Sequence, residues 1–309
     1  MDSIIVSNVA IQLTDSLSFK WYRSKNVLVR GCGFVDGCIL NEAELGNYII
    51  SSNLQTENEL ICLIDTIDGF YNIIISIDNV GIFCFSDQIR SMPLFFHPPE
   101  KDRSYLELYD SIDGNHPSRR IIDKEMVDVF RHSLFIPGNR TVFKNVFSIN
   151  AGEYLKISDK RIEIKEYFEF DYHNTLDNKE KCVNKIIEEY DSCINNIIQF
   201  LNGRTAVIPL SGGHDSRFLL YCLIKCGYRK IITYSYGNRN NEESTISNKI
   251  ALLLGVKWIF VEYNKKEMRK LFRKQYKSFS FAGVGGGVSS SAARMVCSLF
   301  LKKRKSDSK

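Results

Sequence analysis

The stretch AVIPLSGGHDSRF, Ala206 to Phe218, decides how this chain is read. An apolar, strand-like run from Ala206 to Leu210 meets the turn SGGHDS, Ser211 to Ser216, and a helix-like run follows from Arg217. Gly212 and Gly213 let the backbone come close to a polyanion, because a Cβ would clash there and because glycine accepts positive φ. Backbone N–H groups then face phosphate oxygens, and the helix adds its positive N-terminal end. Ser211 and Ser216 supply hydroxyl donors, and Asp215 supplies a carboxylate for a phosphate-bound magnesium ion. A Gly-Gly pair in isolation is only a turn, with the acid as a helix cap. Strand, glycine pair, acid and serine in this order are what a nucleotide site requires.

This is not the Walker loop, since no GxxxxGK[ST] occurs and no lysine follows the glycines. A loop that holds the β- and γ-phosphates as one unit favours attack at the α-phosphorus, so the expected products are AMP and pyrophosphate. His214 occupies the variable position of the turn, where solvent contact or packing is expected rather than catalysis.

With 309 residues, 44% hydrophobic and 25% charged, the chain is long enough for two domains, each with its own core. The segment DYHNTLDNK between Phe170 and Lys179 is polar, aperiodic and turn-rich, and marks the boundary. Domains are therefore expected at 1–172 and 180–309. Apolar residues at helical spacing predict a helix over 183–201, leading into the first strand.

The segment AVIPLSGGHDSRFLLYCLIKCGY, followed by IITYSYGNRNNEESTISNKIALLLGVKWIFVEY, resembles the synthetase domain of the glutamine-hydrolysing asparagine synthetase family. That domain has the adenine nucleotide α-hydrolase-like (PP-loop ATP pyrophosphatase) fold. The order of elements matches: strand, phosphate loop, helix, a second strand ending near Tyr236 and Gly237, a helix over 242–254, and a third strand over 256–261. The resemblance implies a parallel α/β unit that uses ATP and Mg2+. It implies that Leu210 and Tyr236 flank adenine through backbone contacts, and that Ser211, Gly212, Gly213, Asp215 and Ser216 hold pyrophosphate and magnesium.

In the first half, strand-like alternation over 26–30 precedes GCGFVDGCILNEAEL and IDGFYNIIISIDNVGIFCFSDQIRSMPLFF. These resemble the same family's class II glutamine amidotransferase-like (Ntn-type) domain, a β-rich sandwich of α+β class. The elements that carry the likeness are Gly69 and Phe70, then Asp87, then Pro93 to Phe95. TVFKNVFSINAGEYLKI, with EYFEF after it, resembles the segment that closes that domain.

The departures bear on activity. Where the family has a cysteine nucleophile directly after the initiator methionine, this chain has Asp2, which cannot form the thioester. The arginine and the Asn-Gly-Glu segment that clasp glutamine have no counterpart. The first domain is thus expected to lack glutaminase activity, and the synthetase domain is expected to be incomplete, the product of a truncation. AGVGGGVSSSAAR, Ala282 to Arg294, lacks a preceding strand and a following acid and reads as a connection, while LKKRKSDSK reads as a charged end.

The fold class is then α+β followed by α/β. The function implied by the resemblance is an ATP-dependent amide ligase of asparagine synthase type, with a small carboxylate acceptor and a nitrogen donor as partners. Two alternatives stand beside it: a non-catalytic nucleotide-binding or assembly protein, and a PP-loop tRNA-modifying adenylase. The net charge of +5 gathers late, in KKEMRKLFRKQYK and KKRK. Basic stretches can footprint nucleic acid, but such helices more often solvate an outer face, so nucleic acid is not expected as a partner. A homodimer is open to the chain. No signal peptide or membrane span is evident, and nine cysteines without CxxC spacing suit a reducing cytoplasm. Cys32 and Cys38 fall in a strand-turn-strand, where packing is the expected role.

Overall fold

The computed structural model describes residues 3–6, 8–15, 19–101, 103–111, 121–158, 161–170, 178–238, 241–263 and 269. They fall into two compact units, one made of the described residues up to Phe170 and the other of those from Asn178 onward. Asp2, the run 282–294, the charged end and most of the basic stretch 265–277 lie outside the described residues.

The first unit runs β1 (Ser3–Val6), β2 (Val9–Gln12), β3 (Trp21–Arg23), β4 (Val27–Val35), β5 (Cys38–Leu40), α1 (Glu42–Ser51), α2 (Glu57–Asp65), β6 (Asp68–Ile77) and β7 (Gly81–Ser86). It continues with β8 (Leu94–His97), β9 (Leu106–Tyr109), α3 (Lys124–Ser133), β10 (Phe147–Ile149), β11 (Glu153–Ser158) and β12 (Arg161–Glu166). One sheet has the order β1-β2-β9-β8-β10, and the other has β12-β11-β7-β6-β4-β3 with β5 on β4. All these pairings are antiparallel except β2 with β9.

The sheets pack face to face. Val9, Ile11, Phe96 and Leu108 of the first meet Leu28, Ile74, Cys84 and Leu155 of the second. The opposite face of the second sheet buries Val29, Ile73 and Phe85 against Leu45 and Ile49 of α1 and Leu60 and Ile64 of α2. Both helices begin with a capping box, Asn41 with Glu44 and Thr56 with Glu59, which satisfies backbone donors that have no partner inside the helix.

The motif residues of this half have packing roles. Gly69 has φ +136, and a Cβ there would stand 2.4 Å from the Cys32 carbonyl oxygen, so the closely apposed β4 and β6 require glycine. Asp87 follows β7, and its buried carboxylate accepts from the backbone N–H of Tyr71, Ile89 and Ser91. Burial pushes its pKa up even against those bonds. Between the sheets Arg30 is buried under Trp21, donating to Asp110 at 3.0 Å and to Asn72 at 2.6 Å. Cys32 and Cys84 are buried in this unit, as is Cys222 in the other. Cys38 is exposed next to the Asp36-Gly37 turn, so the packing role expected of it belongs to Cys32 alone.

The second unit runs α4 (Lys179–Leu201), β13 (Ala206–Pro209), α5 (His214–Lys225), β14 (Ile231–Gly237), α6 (Glu242–Leu253) and β15 (Lys257–Glu262). The strands form a parallel sheet in the order β13-β14-β15, with Ala206 opposite Ile231 and Ile232 opposite Lys257. Parallel neighbours need crossover connections, which α5 and α6 provide. Ala206, Ile208 and Ile231 pack with Leu220 and Leu223 of α5, Ala251 of α6 and Ile194 of α4.

Two helices start earlier than the sequence pattern predicts. Asn178 caps α4 by accepting from Glu180 N–H, so the helix takes in Lys179 to Cys182. Gly213 is extended, at φ −77 and ψ 173, and the helix α5 starts at His214 rather than at Arg217. Asp215 and Ser216 therefore stand in the first turn of a helix rather than in the loop. Among the described residues no helix is long and apolar enough to cross a membrane.

Candidate phosphate-binding site

The loop leaves β13 at Leu210, whose backbone is fixed from three sides. Its N–H donates to the Tyr234 carbonyl at 2.8 Å, and its carbonyl accepts from Ser235 Oγ of β14 at 2.6 Å and from Ser247 Oγ of α6 at 2.9 Å. Ser235 Oγ accepts in turn from Trp258 Nε1 at 3.0 Å. Leu210 is buried, so these donors satisfy a carbonyl that solvent does not reach. Both backbone groups of Leu210 are thus engaged inside the protein. These bonds fix where the loop departs from the strand.

The loop is stitched by the two serines. Ser211 N–H donates to Ser216 Oγ at 3.1 Å, the two hydroxyl oxygens are 3.1 Å apart, and Gly213 N–H donates to Ser211 Oγ at 3.2 Å. Arg217 Nη2 donates to the Gly212 carbonyl at 3.1 Å. Gly213, the N-cap of α5, offers no side chain to the first turn, whose N–H groups and positive dipole end are left for an outside acceptor.

Of the two reasons the sequence suggests for the glycines, backbone conformation drops out. Neither Gly212 nor Gly213 has positive φ. A Cβ on Gly212 would find nothing closer than Glu243 Cα and Ile246 Cδ1, both at 3.6 Å, which is ordinary contact. On Gly213 it would stand 3.3 Å from Ser211 Oγ. Among the described residues, packing therefore makes no demand for glycine at 212.

Asp215 is exposed, at the second position of α5, and no hydrogen bond to its carboxylate occurs among the described residues. No group of three or more His, Cys, Asp or Glu that could hold a metal occurs among them either. One carboxylate suits Mg2+, which keeps several waters and takes its remaining ligands from phosphate oxygens. His214 is exposed beside it.

Tyr236, on β14, lies partly exposed with its ring stacked on Tyr263 at 5.7 Å between centroids. On the helical side, a depression of about 830 Å³ is lined mainly by Tyr190, Ile194, Phe218, Tyr221, Ile250 and Leu253, with Asp215 and Arg217 at its polar part. Sequence reasoning passed over Arg217, Ser235 and Ser247. Only Arg217, directly after the motif, carried a visible signal.

A family model described as "Queuosine biosynthesis protein QueC" matches residues 205–275, from the residue before β13 through the loop, α5, β14, α6 and β15. No curated protein matches the chain. The match does not extend to asparagine synthetase in particular. Parallel sheet, loop and family match together identify a PP-loop ATP pyrophosphatase-like domain in the second unit.

Proposed function

We propose that the second unit is an ATP-dependent adenylating enzyme, with the SGGHDS loop as its pyrophosphate cradle. The β- and γ-phosphates lie against Gly212, Gly213 and the first-turn N–H groups of α5, with Ser211 and Ser216 donating from either side. Asp215 holds the magnesium ion that ATP brings, which neutralises charge building on the departing group. Tyr236 flanks the adenine. A substrate oxygen attacks the α-phosphorus, a new P–O bond forms as the bond to the β-phosphate's bridging oxygen breaks, and pyrophosphate leaves with the electron pair. A nitrogen nucleophile then displaces AMP from the activated substrate.

The observation that carries this reading is Gly212, a glycine needed neither for backbone conformation nor for packing, set before a helix whose N-terminus has no side-chain cap. As to the substrate, the family match favours the tRNA-modifying adenylase over the amide ligase, since its name belongs to the biosynthesis of a modified nucleoside. The amide ligase rests on the likeness of the phosphate-loop segment to a synthetase domain, together with the order of motifs in the first unit, which we read as an amidotransferase-like scaffold without a nucleophile.

Gly212→Ala tests the cradle. The added methyl fits beside Glu243 and Ile246, so thermal stability stays within about 1 kcal/mol of the parent or rises slightly. Pyrophosphate binding and ATP–pyrophosphate exchange are expected to be lost. A variant that is folded and exchanges at the parental rate refutes the cradle. Stimulation of AMP release by tRNA, against stimulation by aspartate with ammonia, separates the two substrate classes.

A further inference from the structure

We infer that Arg217 is the positioning residue of the phosphate loop, setting the peptide plane between Gly212 and Gly213; this rests on the cradle proposed above. Arg217 stands one turn into α5, and its side chain reaches back so that Nη2 donates to the Gly212 carbonyl at 3.1 Å. That carbonyl lies before the helix N-cap, outside the helical hydrogen-bond pattern, and Gly212 has no side chain to restrict the peptide. Left alone, the peptide could turn its oxygen toward the site, placing a negative dipole end where an anion must sit. Held by the guanidinium, the oxygen points to Arg217, and the amide of the same plane, Gly213 N–H, points the other way to Ser211 Oγ.

Among the described residues the rest of the guanidinium has no other hydrogen-bond partner. Its Nε is shielded from solvent and makes no hydrogen bond. No ion pair of Arg217 with a carboxylate occurs among the described residues. A partly buried arginine with one donor bond to a loop carbonyl is an orienting device rather than an electrostatic brace. The charge makes that single bond stronger than a neutral donor would.

The test uses the full chain and inorganic pyrophosphate as probe, by calorimetry at about 0.05 M and about 0.5 M salt, with melting temperature as control. Arg217→Ala is expected to bind pyrophosphate about tenfold more weakly than wild type, by the same factor at both salt concentrations. Arg217→Lys, which keeps one charged donor on a flexible stem, is expected to lose only about threefold. Parental affinity in both variants overturns the inference while leaving the cradle standing. A loss that vanishes at high salt also overturns it, because a direct contact with the phosphates is screened and a peptide orientation is not. If Arg217→Ala does not fold, Arg217→Lys carries the same two-salt comparison. Wild type that binds no pyrophosphate overturns the inference and the cradle together.

Discussion

Removing the two hydroxyls that share the Leu210 carbonyl should cost more together than the sum of the two separate losses. Ser247 Oγ donates to that carbonyl at 2.9 Å but also lies 2.6 Å from the Glu243 carbonyl, so its one proton is divided between two acceptors. Ser247→Ala should cost about 1 kcal/mol, near the net worth of one hydrogen bond. Ser235→Ala removes the 2.6 Å donor and also strands the Trp258 indole N–H, so about 2 kcal/mol is expected. In either single variant the carbonyl keeps one side-chain donor. In the double variant it keeps none, and Leu210 is only 2% exposed. The cost of an unsatisfied buried acceptor then appears, for a total of about 4–5 kcal/mol and a coupling of about 1–2 kcal/mol. Urea unfolding followed by Trp258 fluorescence measures all four corners of the cycle. At a slope of roughly 1–2 kcal/mol per molar urea, the double variant's midpoint falls by more than about 2 M. Additivity within about 0.3 kcal/mol would mean that the hydroxyls do not share one desolvated oxygen, and the account of how the loop is anchored would fail.

Asp215→Ala should weaken binding of magnesium-ATP by at least about tenfold while leaving magnesium-free pyrophosphate binding nearly intact, because the carboxylate acts through the metal. Equal affinity for magnesium-ATP in calorimetry removes Asp215 from the site. Glu57 governs acid stability of the first unit: burial alone would raise its pKa, but hydrogen bonds from Lys156 Nζ at 2.5 Å, Lys165 Nζ at 2.9 Å and Tyr154 OH at 2.8 Å bring it down to about 2. A carboxyl with a depressed folded-state pKa stabilises above its unfolded value near 4.5, and that contribution fades as pH falls from there toward 2. With partly exposed lysines as partners, the amount is about 1–2 kcal/mol after solvent screening. Glu57→Gln should destabilise by that much at pH 7 and by only a small part of it at pH 2, and a pH-independent difference in melting temperature contradicts the assignment.

The second unit was legible because its signals are local. Apolar runs of strand length alternate with helical periodicity, and the glycine pair stands at the first junction. Its errors are local too: Asp215 and Ser216 look like loop residues until the extended Gly213 shows that they open a helix, where acids and serines are at home. Tyr236 was reached through the second strand, whereas Ser235 beside it was hidden, because a serine in an apolar strand gives no hint of which distant carbonyl it serves. The first unit was harder for a different reason. Strands β4 and β6 are covered on both faces, one by the second sheet and one by helices, so the alternation that marks a half-buried strand is erased. Contacts such as Arg30 with Asp110 and Glu57 with Lys156 join residues far apart in sequence, and no spacing rule reveals them.

The distribution of thiols gives each unit its own internal timer. Cys84 sits in the middle of the sandwich, where burial raises its pKa well above the usual range, and Cys222 faces the core of the parallel sheet. Exposed Cys38, Cys62, Cys193 and Cys226 meet an alkylating reagent at once, while the sheltered sulfurs of Cys32, Cys84 and Cys222 wait for local opening. Mass spectrometry of a labelling time course thus reads the opening rate of the phosphate-loop unit separately from that of its neighbour, with no engineered probe.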